Sequence, residues 1–306
     1  MQITSGMVKE LREKTGAGLM DCKAALTASD GDMEAAIDHL RTKGLAAAAK
    51  KSSRIASEGA VCAHVEGDSG ALVEVNCETD FVARTGNFIG LAKEIAALVN
   101  AKAPRDVDEA MTLPINGGNL GEMLVETVAK IGEKISFRRF ARLETPAGAP
   151  GMVVPYIHAG GKIGVLVAVS GADRSNAAVA ALAKDLAMQV AAANPTYIGR
   201  NDVPAPVIDR EKAIYREQAK ASGKPDKILD KIADGKLEKY FGDFCLVEQA
   251  FIKDPERRVS QFLADAGKAA GATITVSAFA RFQVGEGMEK RSDDLAAEVA
   301  KQLGQG

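Results

Sequence analysis

Seven side chains have the chemistry of nucleophiles, general bases or soft metal ligands: Cys22, Cys62, Cys77 and Cys245, with His39, His64 and His158. No two cysteines form a C-x-x-C pair, and their spacing fits neither a zinc ribbon nor a disulfide framework. The histidines fall in different predicted elements. Cys77 and His64 lie on opposite arms of a predicted hairpin, so a thiol–imidazole pair is open to them, but no third group that would orient the base is evident. The competing reading is two half-buried strand residues. The Asp and Glu residues show no metal-ligand spacing. No G-x-x-x-x-G-K-[ST] loop is present. Gly285-Glu286-Gly287 starts like G-x-G-x-x-G, but Lys290 stands where the third glycine belongs and no strand–helix–strand unit surrounds it, so it reads as a turn. This pattern disfavours an enzyme with its own active site and implies no cofactor and no metal.

Recognition chemistry is concentrated elsewhere. Thr79-Asp80-Phe81-Val82 follows a predicted strand and precedes a predicted helix. Thr79 can cap the turn, Asp80 offers an acceptor, and Phe81 offers a large rigid apolar surface at low entropy cost. Periodicity leaves Phe81 open to either fate, core or surface, because Gly86 breaks its phase with Phe88.

The elements around these residues alternate in type. Residues 1–44 read as three short helices, with Thr4 or Ser5 capping the first and Gly44 ending the third. The stretch 45–58 reads as a polar, alanine-rich connector, a helix leading into a hinge. Val61, Ala63 and Val65 alternate with polar residues, Gly67-Asp68-Ser69-Gly70 turns, and Ala71 to Cys77 returns as a strand. A helix carrying Phe88, Leu91, Ile95 and Val99 follows. After a looser stretch with Pro104 and Pro114 come a helix near 120–131 and a strand from about Ile135. Pro and Gly punctuate 145–151. Beyond that point the order recurs: strand 153–158, turn 159–162, strand 163–169, helix through Leu186 and Val190, and a closing strand at 273–284. Between the last two, residues 207–222 and 226–241 read as a pair of polar helices. An amphipathic helix is expected from Asp293 to Leu303.

Composition agrees with an ordinary soluble protein. A chain of 306 residues exceeds what one core usually supports, so two or three compact units are expected. A formal net charge of −2 argues against a large basic groove for nucleic acid. No run of about 18 apolar residues is present, so no membrane contact is expected. Free thiols and the lack of an apolar leader make the cytoplasm the expected location.

Two stretches carry a specific resemblance. VKELREKTGAGLMDCKAAL at 8–26 and VEVNCETDFVAR at 73–84 resemble the two signature regions of the elongation factor Ts family, the guanine-nucleotide exchange factors of elongation factor Tu. KIGEKISFRRF at 130–140, HAGGKIGVLVAV at 158–169, ASGKPDKI at 221–228 and RFQVGEGMEK at 281–290 are similar to later family stretches in the same order. The segment 145–151 is longer than the family's usual connector.

The resemblance implies an α+β fold: a small three-helix ubiquitin-associated-like domain with its connector (1–54), then two related α+β subdomains (55–144, and 145–199 with 242–284). It also implies an inserted helical hairpin (200–241) serving dimerisation or partner contact, and a C-terminal helix module (285–306). The implied function is binding GDP-bound elongation factor Tu and promoting GDP release by disturbing its Mg2+ and phosphate contacts. The matched site residues are Thr79, Asp80, Phe81 and Val82. Arg12, Leu19 and Met20 match the part of the N-terminal domain laid on the partner, and His158 matches a partner-contacting histidine on the far side of the core. The rival readings are a ubiquitin-associated-like scaffold without exchange activity and a thiol enzyme using Cys77.

Overall fold

The computed structural model describes residues 3–146 and 148–289. In chain order the helices and strands are α1 (Ser5–Thr15), α2 (Leu19–Ala28), α3 (Met33–Lys51), β1 (Glu58–Glu66), β2 (Ser69–Cys77), α4 (Asp80–Ala83), α5 (Gly86–Lys102), α6 (Val107–Thr112), β3 (Pro114–Ile115), β4 (Gly118–Asn119), α7 (Leu120–Ile131) and β5 (Ser136–Glu144). They continue as β6 (Gly151–His158), β7 (Ile163–Ser170), α8 (Ala177–Ala193), α9 (Ala205–Ala221), α10 (Leu229–Phe244), β8 (Ala250–Phe251), β9 (Asp254–Arg258), α11 (Val259–Ala270) and β10 (Thr275–Gln283). The α+β class read from the sequence is the class observed. The helix expected at 293–303 lies outside the described residues.

The first three helices bury a small core of Val8, Leu11, Cys22, Ala25, Leu26 and Ala36. Thr4 Oγ1 accepts the Met7 N–H at 3.3 Å and starts α1, and Gly16 ends it in the left-handed region at φ 64. Gly44 does not end α3, contrary to the sequence expectation. The helix runs on to Lys51, and Gly44 is buried against α7, where a Cβ would stand 3.4 Å from that of Ala129. A glycine inside a helix costs about 1 kcal/mol relative to alanine. Here packing of α3 on α7 outweighs that cost, and tertiary packing overrides the local signal.

Two three-stranded antiparallel sheets follow, in orders β1-β2-β5 and β6-β7-β10. Both have one plan: a hairpin, then a helix, then a closing strand that pairs with the hairpin's second arm. The sheets face each other across Val61, Leu72, Val153, Leu166 and Ala168. On the outer side of the first, Ala71, Val73, Val75 and Cys77 pack against Phe88, Leu91, Ile95 and Val99 of α5. On the outer side of the second, Val165, Val167 and Val169 pack against Val179, Leu186 and Val190 of α8. The result is a helix–sheet–sheet–helix layering. β2 is covered on both faces, so both sets of its alternating side chains are buried.

One buried charge sits between the layers. Glu74 on β2 accepts from Arg138 at 3.0 Å, Arg139 at 2.6 Å, Asn76 at 3.2 Å and the Gly285 N–H at 2.8 Å. Burial works to raise its pKa, but the Gly285 N–H and the two guanidiniums outweigh it and hold the carboxyl below its ordinary 4.5. This knot fastens the turn after β10 onto the first sheet.

The pair α9–α10 is antiparallel, held by Lys212–Asp234 at 2.7 Å and Arg216–Asp230 at 3.3 Å. Its footing is a separate cluster of Val203, Phe241 and Cys245. The stretch with Pro104 and Pro114 is more ordered than its sequence suggests, since it holds α6 and the two-residue β3–β4 pair.

Candidate partner-binding site

β2 delivers the chain to Glu78 and Thr79 at the end of the first sheet. Thr79 is extended (φ −126, ψ 152), and its Oγ1 accepts the Val82 N–H at 3.3 Å. The single turn α4 follows, closed by the Ala83 N–H on the Thr79 carbonyl at 3.2 Å. Ala83 is buried and Val82 packs against the α5 cluster. Successive helical residues are turned by about 100°, so anchoring those two sends Phe81 the other way. Phe81 is 82% exposed. Asp80 accepts from Arg84 one turn on at 2.8 Å. The four residues therefore form one surface knuckle with an acidic and an aromatic tip.

Behind the knuckle lies a set of groups that sequence reading did not single out. The Glu133 carboxylate accepts from the Glu78 N–H at 3.1 Å, the Thr79 N–H at 3.0 Å and the Thr79 hydroxyl at 2.6 Å. The Glu78 carboxylate accepts from the Lys134 N–H at 2.6 Å and from Arg54 at 3.2 Å. Glu133 and Lys134 fall inside the matched stretch KIGEKISFRRF, but no local signal couples them to a turn 54 residues earlier.

The thiol–imidazole pairing does not form. Cys77 faces Glu58 in the hairpin and His64 faces Ala71. Six residues of strand, roughly 20 Å, separate them. Burial, with the nearby Glu133 charge, pushes the Cys77 thiol up to about 12, and it donates to the Thr79 carbonyl at 3.1 Å. Cys77 is thus a buried, hydrogen-bonded thiol whose surroundings oppose the thiolate. Among the described residues no group of three or more His, Cys, Asp or Glu could hold a metal ion, and no helix is long and apolar enough to cross a membrane.

The remaining predicted residues are also at the surface. Arg12 is exposed on α1. Leu19 and Met20 open α2 and are 54% and 72% exposed, while Leu11, Cys22 and Leu26 fill the core beneath. His158 ends β6, exposed, with its Nδ1 3.0 Å from the Tyr156 hydroxyl and the two rings stacked at 5.9 Å. The turn after it abuts Ala60 and Val61, and Lys162 pairs with Glu58, the strand neighbour of Cys77. His158 and Thr79 therefore reach the same end of β1 from the two different sheets. Arg12, Leu19 and Met20 lie apart from both, on the helical unit.

A family model described as Elongation factor TS matches residues 78–286, more than half of the chain. This chain belongs to the elongation factor Ts family. Relatives of that name span it almost end to end. The Elongation factor Ts of Syntrophotalea carbinolica is 50% identical over 302 residues, covering 98% of this chain and 99% of its own length. That of Magnetococcus marinus is 48% identical over 303 residues, covering 98% and 99%. That of Trichlorobacter lovleyi is 47% identical over 313 residues, covering 99% of each. Membership makes the chain a translation elongation factor, acting in protein biosynthesis. The family match includes the knuckle, Glu133, His158 and the α9–α10 pair. The helical unit lies outside it but inside the span of the full-length relatives.

Proposed function

We propose that this protein is a guanine-nucleotide exchange factor that binds GDP-bound elongation factor Tu, disturbs its Mg2+ and phosphate contacts, releases GDP and lets GTP enter. It needs no active site of its own for this. A G protein holds its nucleotide through backbone N–H groups, a lysine and Mg2+. A partner that prefers the empty form weakens nucleotide binding by the same factor, by linkage. The task requires a rigid protrusion and enough interface to offset the broken contacts.

The observation that carries this reading is Phe81, exposed at 82% on a turn pinned on both sides. An isolated exposed Phe is unremarkable as surface. One held out on a capped turn beside a carboxylate presents apolar area worth about 2 kcal/mol when a partner buries it, and Asp80 presents an acceptor next to it. Exposed Arg12, Leu19 and Met20 would supply a second contact, and His158 a third. The pair α9–α10, with its own small core, suits a module for self-association or partner contact. The divisions 1–54, 55–144, 145–199 with 242–284, 200–241 and 285–306 belong to the same reading; separate apolar clusters in the helical unit and behind each sheet support the first three.

The test is release of labelled GDP from elongation factor Tu. The protein should accelerate it, and equal rates with and without the protein would refute the proposal. Phe81→Ala should slow release by about ten-fold or more, with an unchanged circular dichroism spectrum and melting temperature.

A further inference from the structure

We propose that Glu133 is the positioning residue of the exchange element, the group that holds the Thr79–Val82 knuckle in its protruding geometry. This inference rests on the exchange reading of that knuckle. Both ladders of the first sheet stop short of it: β1–β2 pairing ends at Glu58↔Cys77 and β2–β5 pairing at Asn76↔Ser136. The N–H groups of Glu78 and Thr79 lie beyond, with no strand to accept them. Partly buried N–H groups need partners. One carboxylate takes both, at 3.1 and 3.0 Å, and also takes the Thr79 hydroxyl proton at 2.6 Å.

The third bond reaches the tip. With its proton committed to Glu133, the Thr79 hydroxyl turns a lone pair to the Val82 N–H, 3.3 Å away. The chain of donors therefore runs from Val82 through Thr79 to Glu133. α4 is four residues long, too short to hold itself. The Phe81 side chain is almost bare, so its aim is inherited from the backbone of that one turn. Glu78 and Lys134 complete a reciprocal clasp, since the Glu78 carboxylate accepts the Lys134 N–H at 2.6 Å and the Lys134 ammonium donates to the Arg54 carbonyl at 2.9 Å. Charge-assisted bonds of this kind are the strong ones. Glu133 sits behind the knuckle and acts through Thr79, not on the partner.

The experiment compares GDP release from elongation factor Tu driven by the full-length chain and its variants. Glu133→Ala should slow release about ten-fold or more, the effect of losing charge-assisted bonds to one turn. Glu133→Gln should stay within about three-fold, because its amide oxygen still accepts both backbone N–H groups and its NH2 can donate to Thr79 Oγ1. In a Phe81→Ala background, Glu133→Ala should add no further loss, since two groups acting through one element are not additive. Full extra loss in that background would assign Glu133 to general stability and overturn the inference. Wild-type rates for Glu133→Ala beside a slow Phe81→Ala would overturn the positioning role and leave the exchange reading standing. Wild-type rates for Phe81→Ala would overturn both. If Glu133→Ala does not fold, Thr79→Val breaks the same donor chain isosterically; it should slow release about ten-fold, and a wild-type rate would sink the proposal.

Discussion

Phe81 and Phe88 are seven residues apart, and one is bare while the other has no exposed surface. Residue type does not separate them. Thr85 caps a fresh helix, its Oγ1 accepting the Phe88 N–H at 3.3 Å, so α5 begins with a phase set by its own apolar face. Phe81 belongs to the previous turn, whose inward positions are already taken by Val82 and Ala83. Glu74 gives a second lesson at this scale: an acidic residue in a strand can be wholly buried if cations and an N–H converge on it. Its carboxyl is held below its ordinary 4.5 in the folded protein. The stability it contributes is therefore full above that value and lost as pH falls through the lower folded value. Glu74→Gln should cost about 2–3 kcal/mol at pH 7, since it leaves two guanidiniums short of their partner. It should also flatten the loss of urea stability below about pH 4.5. Identical pH profiles for variant and wild type would refute this account of Glu74.

At the scale of elements, α3 is decided by its neighbour. Gly44 read as a stop because glycine usually closes helices, yet the helix gains more from α7 than it loses at that residue. The space left there is one methyl deep. Gly44→Ala should be near neutral or slightly stabilising, since its Cβ meets Ala129 at 3.4 Å while helix propensity improves by about 1 kcal/mol. Gly44→Leu should destabilise by about 1–3 kcal/mol by prising α3 from α7. Urea titration of the two variants checks this, and equal stability of the leucine and alanine forms would show that α3 and α7 do not depend on close approach.

For the whole molecule, the two sheets share one plan and close over one another, whereas the core of the helical unit holds only six buried apolar residues among those described. A unit of that size is marginal alone, and α3 is its main attachment. Stability should therefore be uneven. Amides of α1 and α2 should exchange with solvent well before those of β2 and β7, without unfolding of the sheets. Native-state hydrogen exchange reads this directly, and equal protection across the chain would mean that the helical unit is as firmly built as the layered core.

Much of this was legible in the sequence because it is local. Alternation marked β1, and strand-forming runs bounded by turns marked β2, β6 and β7; the repeat of hairpin, helix and closing strand marked two like units; and the capped turn at Thr79 needed only a threonine before a helix start. Motifs spread in order along most of the chain pointed to the family. What remained undecided was set by groups distant in sequence. Whether Phe81 faced in or out depended on Val82 and Ala83 meeting α5. Whether Gly44 stopped a helix depended on the packing of α3 against α7. The pairing of Cys77 with Glu58, not His64, depended on hairpin register, because a strand separates its ends by about 3.3 Å per residue. The hold of Glu133 on Thr79 crosses 54 positions and has no periodic trace. Side-chain patterns report what a residue contributes to its own element; only packing reports what another element contributes to it.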